Sequence, residues 1–127
     1  MLSEKKRSPA QIPRILVVED SVLVVMMIEH AIAENGWSVV GPATHLAHAK
    51  ELAAAEPCDA ALLDVNLNGD MSWEVAAALA DRKIPFAFTT GYDAATALPE
   101  QFAGRPVVGK PFTPEQIVTA LRQLLGY

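Results

Sequence analysis

The chain has 127 residues, enough for one domain with a real core, and at 51% hydrophobic and 20% charged it has the make-up of an ordinary soluble globular protein. A formal net charge of −5 argues against a partner held through nucleic-acid phosphates, and a single cysteine, Cys58, excludes an internal disulfide and suits a reducing cytoplasm. No apolar run reaches the roughly 18 residues of a membrane span and the N terminus lacks a signal-peptide core, so a cytoplasmic protein away from membranes is expected.

Residues 1–13 read as a flexible arm, polar, punctuated by Pro9 and Pro13 and carrying only a short basic run, Lys5-Lys6-Arg7. Residues 14–127 read as the domain. Arg14 to Val18 is a short β-branched run that predicts a buried strand ending in Glu19-Asp20-Ser21. A long apolar helix follows and stops at Asn35-Gly36. Trp37 to Gly41 predicts a second strand, closed by Gly41-Pro42, and Thr44 a cap for a helix over 45–55. Ala60 to Asp64 is apolar on nearly every position until it meets a carboxylate, the pattern of a strand covered on both faces. A loop through Asn68-Gly69-Asp70 leads to a third helix, capped by Ser72 and running to about Lys83. Phe86 to Thr89 is a fourth strand and Val107-Val108 a very short fifth. Between them Asp93 to Leu98 offers few apolar anchors and ends at Pro99, which predicts a mobile segment rather than a firm helix. The last helix has the clearest start: Thr113 as cap, Pro114 in the first position and Gln116 completing a capping box, with Ile117, Leu121 and Leu124 on one face.

Strand and helix alternate five times. The arrangement predicts one doubly wound α/β domain, with helices on both faces of a five-stranded parallel sheet and right-handed crossovers. Ligands in such sheets sit beyond the carboxyl ends of the strands. Glu19, Asp20, Asp64, Asn66, Thr90 and Lys110 are delivered to that edge. Two unit charges about 4 Å apart repel by roughly 4 kcal/mol at a protein-surface dielectric, so three carboxylates there call for a cation or protons. Oxygen ligands with phosphate chemistry nearby suit Mg²⁺, and no His or Cys joins them to favour zinc. With the metal bound, Asp64 is a plausible nucleophile toward a phosphoryl group, with Lys110 and Thr90 as donors to its oxygens.

These residues and their spacing resemble the receiver domains of two-component response regulators, over about residues 14–125. The motifs are Glu19-Asp20 after strand one, Asp64 ending strand three, Thr90-Gly91 after strand four and Lys110-Pro111-Phe112 after strand five. The resemblance implies the flavodoxin-like strand order 2-1-3-4-5. It implies Asp64 as phosphoacceptor, Asp20 as a direct Mg²⁺ ligand, Glu19 acting through water and Asn66 giving its backbone carbonyl. It also implies Thr90 and Lys110 on the phosphoryl oxygens and a cis Lys110-Pro111 bond. Pro85-Phe86-Ala87-Phe88-Thr89-Thr90-Gly91-Tyr92 further resembles the FAT GUY group of mostly stand-alone receivers, although Thr89 stands where that motif has alanine. Val107 stands where receivers usually carry a switching aromatic residue, so an aromatic switch cannot act through it.

In the first helix, Val24, Met27, Ile28 and Ala31 are expected to face the sheet. Val22, Val25 and Met26 then lie toward solvent, where apolar surface suggests docking; extra burial under a loop is the alternative. The resemblance makes this helix, with Pro111 and Phe112, the docking place of a histidine kinase or phosphotransfer protein. The chain is then a phosphoacceptor rather than an enzyme, self-phosphorylating and self-dephosphorylating at most. No output domain is expected after Tyr127, so its downstream partner is a protein and not DNA. A weak homodimer stays open, and the FAT GUY likeness suggests a stress-response relay. Two rivals stand beside this reading. One is a pseudo-receiver that binds partners without phosphorylation. The other is an aspartate-based phosphatase, which would want an Asp where Asn66 stands. A flavin or nucleotide domain would want a Gly-rich loop in place of Glu19-Asp20-Ser21. His30, His45 and His48 read as helix or surface residues, Cys58 as a small buried hydrophobe, and Trp73 as packing near the third helix.

Overall fold

A computed structural model of the chain describes residues 11–91 and 98–127. Residues 1–10 of the expected arm and nearly all of the segment expected to be mobile therefore lie outside the described residues. Five parallel strands form the central sheet: β1 (Arg14–Val18), β2 (Ser38–Ala43), β3 (Ala60–Asp64), β6 (Phe86–Gly91) and β7 (Val107–Lys110). They lie in the order β2-β1-β3-β6-β7. The numbering departs from 2-1-3-4-5 because a small hairpin, β4 (Asn66–Leu67) and β5 (Asp70–Met71), intervenes along the chain but forms a separate two-stranded sheet.

Side chains of a strand alternate between faces, and that alternation divides the core in two. Ile15, Val17, Leu62 and Ala87 pack with Ile28 and Ile32 of α1 (Val22–Glu34) and with Ile117 and Leu121 of α4 (Pro114–Leu125). Leu16, Val18, Leu63, Phe86 and Phe88 face the other way, against Ala49 and Ala53 of α2 (Leu46–Ala55) and Val75 and Leu79 of α3 (Trp73–Asp81). Each large side chain removed from water in this way contributes about 1.5–3 kcal/mol. Trp73 closes the second core, edge-on to Phe88 and stacked on Phe102. The only regular structure described between β6 and β7 is a single 3-10 turn, Glu100–Phe102, which buries Phe102 in that cluster.

The helix starts follow local chemistry, with two differences from expectation. Thr113 and Gln116 form the full capping box on α4, and Gly126, at φ 86°, ends it. The cap of α2 is His45 rather than Thr44: its Nδ1 accepts the His48 N–H at 3.5 Å. Ser72 precedes α3 as expected but its hydroxyl is buried and makes no capping bond, and α3 ends at Asp81, with Lys83 in the left-handed region at φ 61°.

Strand β2 also runs past its expected end at Gly41. The Gly41-Pro42 bond is cis, and Gly41 has φ 92° and would carry a Cβ 2.9 Å from the backbone nitrogen of Ala43. Only glycine fits this irregularity. Beyond it the Ala43 carbonyl accepts the Glu19 N–H at 3.0 Å, which fixes the first acidic residue just past β1.

Candidate functional site

The carboxyl ends of β1, β3 and β7 bring Glu19, Asp64 and Lys110 into contact. The Lys110 Nζ donates to Asp64 Oδ2 at 3.0 Å and to Glu19 Oε2 at 3.1 Å. It lies equally close to Glu19 Oε1, which is buried and has no hydrogen-bond donor among the described residues. Glu19 is 1% exposed. That burial, then the charge of Asp64, pushes its carboxyl up to about 7, against the pull of the Ser21 N–H and Lys110. Burial works against the Lys110 charge, but its bonds and charge contacts with Asp64 and Glu19 outweigh that and raise its pKa above the ordinary lysine value.

Asp20 stands half-buried at the mouth, with its Oδ2 accepting the Asn68 N–H at 2.9 Å. Carboxylate oxygens of Glu19, Asp20 and Asp64 all lie within 4.8 Å of one another. Hard oxygen donors gathered this closely fit a divalent cation such as Mg²⁺. Asn66 donates its N–H to Asp64 Oδ1 at 3.2 Å, while its side-chain oxygen accepts the Gly69 N–H at 2.6 Å. The hairpin thus ties Asp20, Asn66 and Asp64 together. It was legible in part: Asn68-Gly69 is the strongest two-residue hairpin signal, and both residues have positive φ, 53° and 96°.

Thr90 sits at the end of β6, buried, its hydroxyl donating to the Gly91 carbonyl at 3.1 Å. The Lys110-Pro111 bond is cis, as the resemblance implies. Val107 is half-buried and packs against the α2/α3 core. His30 pairs with Glu34 on the surface, and the histidines stand apart from the acidic cluster. Cys58 is half-buried rather than buried, and its desolvation raises the thiol pKa.

The expected docking face of α1 needs correction. Val25 is only 7% exposed and belongs to the inward stripe with Ile28, Ala31 and Ile32. Nearly every residue of α1 is apolar, so periodicity does not set its rotation; packing of Ile28 and Ile32 does, and Val25 lies on their stripe. The outward apolar face is instead Val22, Leu23 and Met26, at 69%, 79% and 59% exposure. Beside it, Val24, Met27, Lys110, exposed Pro111 and half-buried Phe112 line a shallow depression of about 330 Å³.

The site is thus an acidic triad at the carboxyl ends of a doubly wound parallel sheet, with a lysine bridging to its central carboxylate. The family model of the response regulator receiver domain matches residues 15–122, and the chain belongs to that family. Among solved structures, SdrG from Sphingomonas melonis Fr1 is 41% identical, with 90% of this chain and 97% of that chain covered and a TM-score of 0.78. The BeF3-activated conformation of SdrG from Pseudomonas melonis Fr1 is 39% identical, covering 91% and 98%, with a TM-score of 0.74. The PhyR receiver domain from Erythrobacter litoralis, at 23% identity, 94% and 95% coverage and a TM-score of 0.81, shares the fold. No curated protein matches the chain. No helix among the described residues is long and apolar enough to cross a membrane.

Proposed function

We propose that this receiver accepts a phosphoryl group on Asp64 from a phosphohistidine of a histidine kinase or phosphotransfer protein, in the cytoplasm, and signals through protein contacts. The observation that carries the proposal is the Lys110 bridge to Asp64 inside a cluster of three carboxylates. Glu19, Asp20, Asp64 and the backbone carbonyl of Asn66 are the residues to hold Mg²⁺, which when bound supplies positive charge to the phosphoryl oxygens. In the transfer a bond forms from an Asp64 carboxylate oxygen to phosphorus as the donor's phosphorus–nitrogen bond breaks, and the imidazole leaves with that electron pair. Lys110, already charged and pinned against Asp64, gives N–H donors to the incoming oxygens without reorganising. Thr90 has a weak local bond to exchange for a phosphoryl oxygen.

The BeF3-activated conformation of the 39% identical SdrG supports this reading, because trifluoroberyllate has the shape and charge of a phosphoryl group. The likeness of Pro85 to Tyr92 to the FAT GUY motif supports a role among those receivers, in a stress-response relay. The donor docks on Val22, Leu23 and Met26, exposed apolar residues of α1, and in the depression that Val24 and Met27 of the same helix line with Pro111 and Phe112.

Incubation with Mg²⁺ and acetyl phosphate, followed by intact-mass measurement, tests the proposal. One added phosphoryl group is expected on the wild type and none on Asp64→Ala. A wild type that gains no mass, or a variant that gains as much, would overturn it.

A further inference from the structure

One polar side chain on the Asp64 face of the sheet has no part in the chemistry above. Strand β6 lies between β3 and β7. Ala87 faces the α1/α4 core and Phe88 the α2/α3 core, so Thr89 turns to the face of Ala87 and Thr90 to the other. Leu62 and Val108 belong to that same α1/α4 side, which puts Asp64 and Lys110, each two residues further along its strand, on the face of Thr89.

The register then fixes what lies between them. Asp64 pairs with Thr89, and Lys110 pairs with Gly91. The two functional residues are two strands apart, about 9–10 Å at ordinary strand spacing, yet the ammonium lies 3.0 Å from Asp64 Oδ2. The lysine side chain must therefore cross β6, and on this face β6 offers only bare Gly91 and Thr89. Thr89 is 1% exposed, and its hydroxyl has no hydrogen-bond partner among the described residues. A buried hydroxyl without a partner destabilises a fold, and a valine of the same shape would avoid that penalty. The ammonium has three N–H groups, of which Asp64 and Glu19 engage two.

We infer that Thr89 is a positioning residue for Lys110. Its side chain is the floor under the lysine stem, and its hydroxyl is the acceptor that holds the ammonium when phosphorylation of Asp64 takes away a carboxylate oxygen. The inference rests on the phosphoacceptor reading and names a determinant of its rate. It also accounts for a threonine at a buried position where the chain's nearest motif has alanine.

The test compares wild type with Thr89→Val, which keeps shape and loses the hydroxyl, and Thr89→Ser, which keeps the hydroxyl. Initial rates of phosphorylation by acetyl phosphate with Mg²⁺ are read by intact mass, and thermal midpoints are recorded for the same preparations. Thr89→Val should melt at or above the wild-type temperature and yet phosphorylate about tenfold more slowly, the effect of missing one bond to a charged group that forms only as Asp64 is phosphorylated. Thr89→Ser should recover to within about twofold of wild type. A Thr89→Val rate equal to wild type, or a Thr89→Ser rate as low as that of valine, overturns the inference while leaving Asp64 as acceptor. A wild type that takes no phosphoryl group removes the parent reading and this one with it.

Discussion

Lys110 and Asp64 are 46 residues apart in sequence and joined at 3.0 Å between Nζ and Oδ2. The same ammonium neutralises Glu19, so one cation balances two nearly buried carboxylates. Removing it leaves both to repel in a site of low dielectric, where deleting one partner of a buried pair is strongly destabilising. Lys110→Ala is expected to lose about 2 kcal/mol of stability at pH 8 without metal, less than a fully buried pair because Lys110 is partly exposed. Urea unfolding in EDTA measures this, and excess Mg²⁺ should restore part of the loss. Phosphorylation from acetyl phosphate should slow about a hundredfold, the effect of losing one preorganised donor.

Glu19 gives the molecule a pH dependence opposite to that of an ordinary salt-bridged acid. Its folded pKa, about 7, lies above the ordinary 4.5, so the folded state binds the proton more tightly than the unfolded chain. Its contribution is fully present below 4.5, declines as pH rises and is gone above about 7, a span worth up to about 3 kcal/mol. In EDTA, stability should fall between pH 5 and 7 more steeply for the wild type than for Glu19→Gln. Mg²⁺ added at pH 6 should release close to one proton per site, measurable by calorimetry in buffers of different ionisation enthalpy. Equal slopes for wild type and Glu19→Gln would contradict the assignment.

The rotation of α1 separates two substitutions that look alike in sequence. Met26→Glu adds a charge to an exposed position and should change stability by less than about 0.5 kcal/mol. Val25→Glu buries an unpaired carboxylate against Ile28 and Ile32 and should cost several kcal/mol, on the order of 3. Leu23→Glu with Met26→Glu should leave phosphorylation by acetyl phosphate unchanged and slow transfer from the cognate phosphodonor at least tenfold. Circular-dichroism melts and transfer assays on the three variants check this.

Much of the architecture was readable because each strand has a sharp signature. Ala60 to Asp64 is apolar until a carboxylate ends it, and all five of its residues are buried. The α4 box was readable because Thr113, Pro114 and Gln116 act within a single turn. What sequence hid depends on contacts made from outside the segment. In α1, Val22 to Ile28 is apolar without a break, so only the sheet decides that Val25 turns inward. The end of β2 depends on Glu19 reaching the Ala43 carbonyl, a bond no local pattern encodes. Thr89 looked like a departure from a motif, and its relation to Lys110 emerges only from the register of three strands.

The β4–β5 hairpin links backbone geometry to the proposed Mg²⁺ site. Asn68 gives its N–H to Asp20 while Asn66 gives its own to Asp64, so the two-residue turn aims both acids. Gly69 occupies φ 96°, and a Cβ there would meet nothing within 4 Å. Gly69→Ala therefore meets no clash but does meet backbone strain, about 1 kcal/mol. If the turn relaxes toward negative φ, Asn68 withdraws from Asp20, which then loses its fixed orientation. Gly69→Ala should accordingly unfold at slightly lower urea and bind Mg²⁺ about three- to tenfold more weakly, since one misdirected ligand hydrogen bond is worth roughly 1 kcal/mol. Asn68→Asp keeps the backbone donor and tolerates positive φ, so it should hold the turn. Titration of Mg²⁺ by calorimetry on both variants distinguishes the cases: weakening confined to Gly69→Ala ties the metal to the turn, and equal affinity in both separates them.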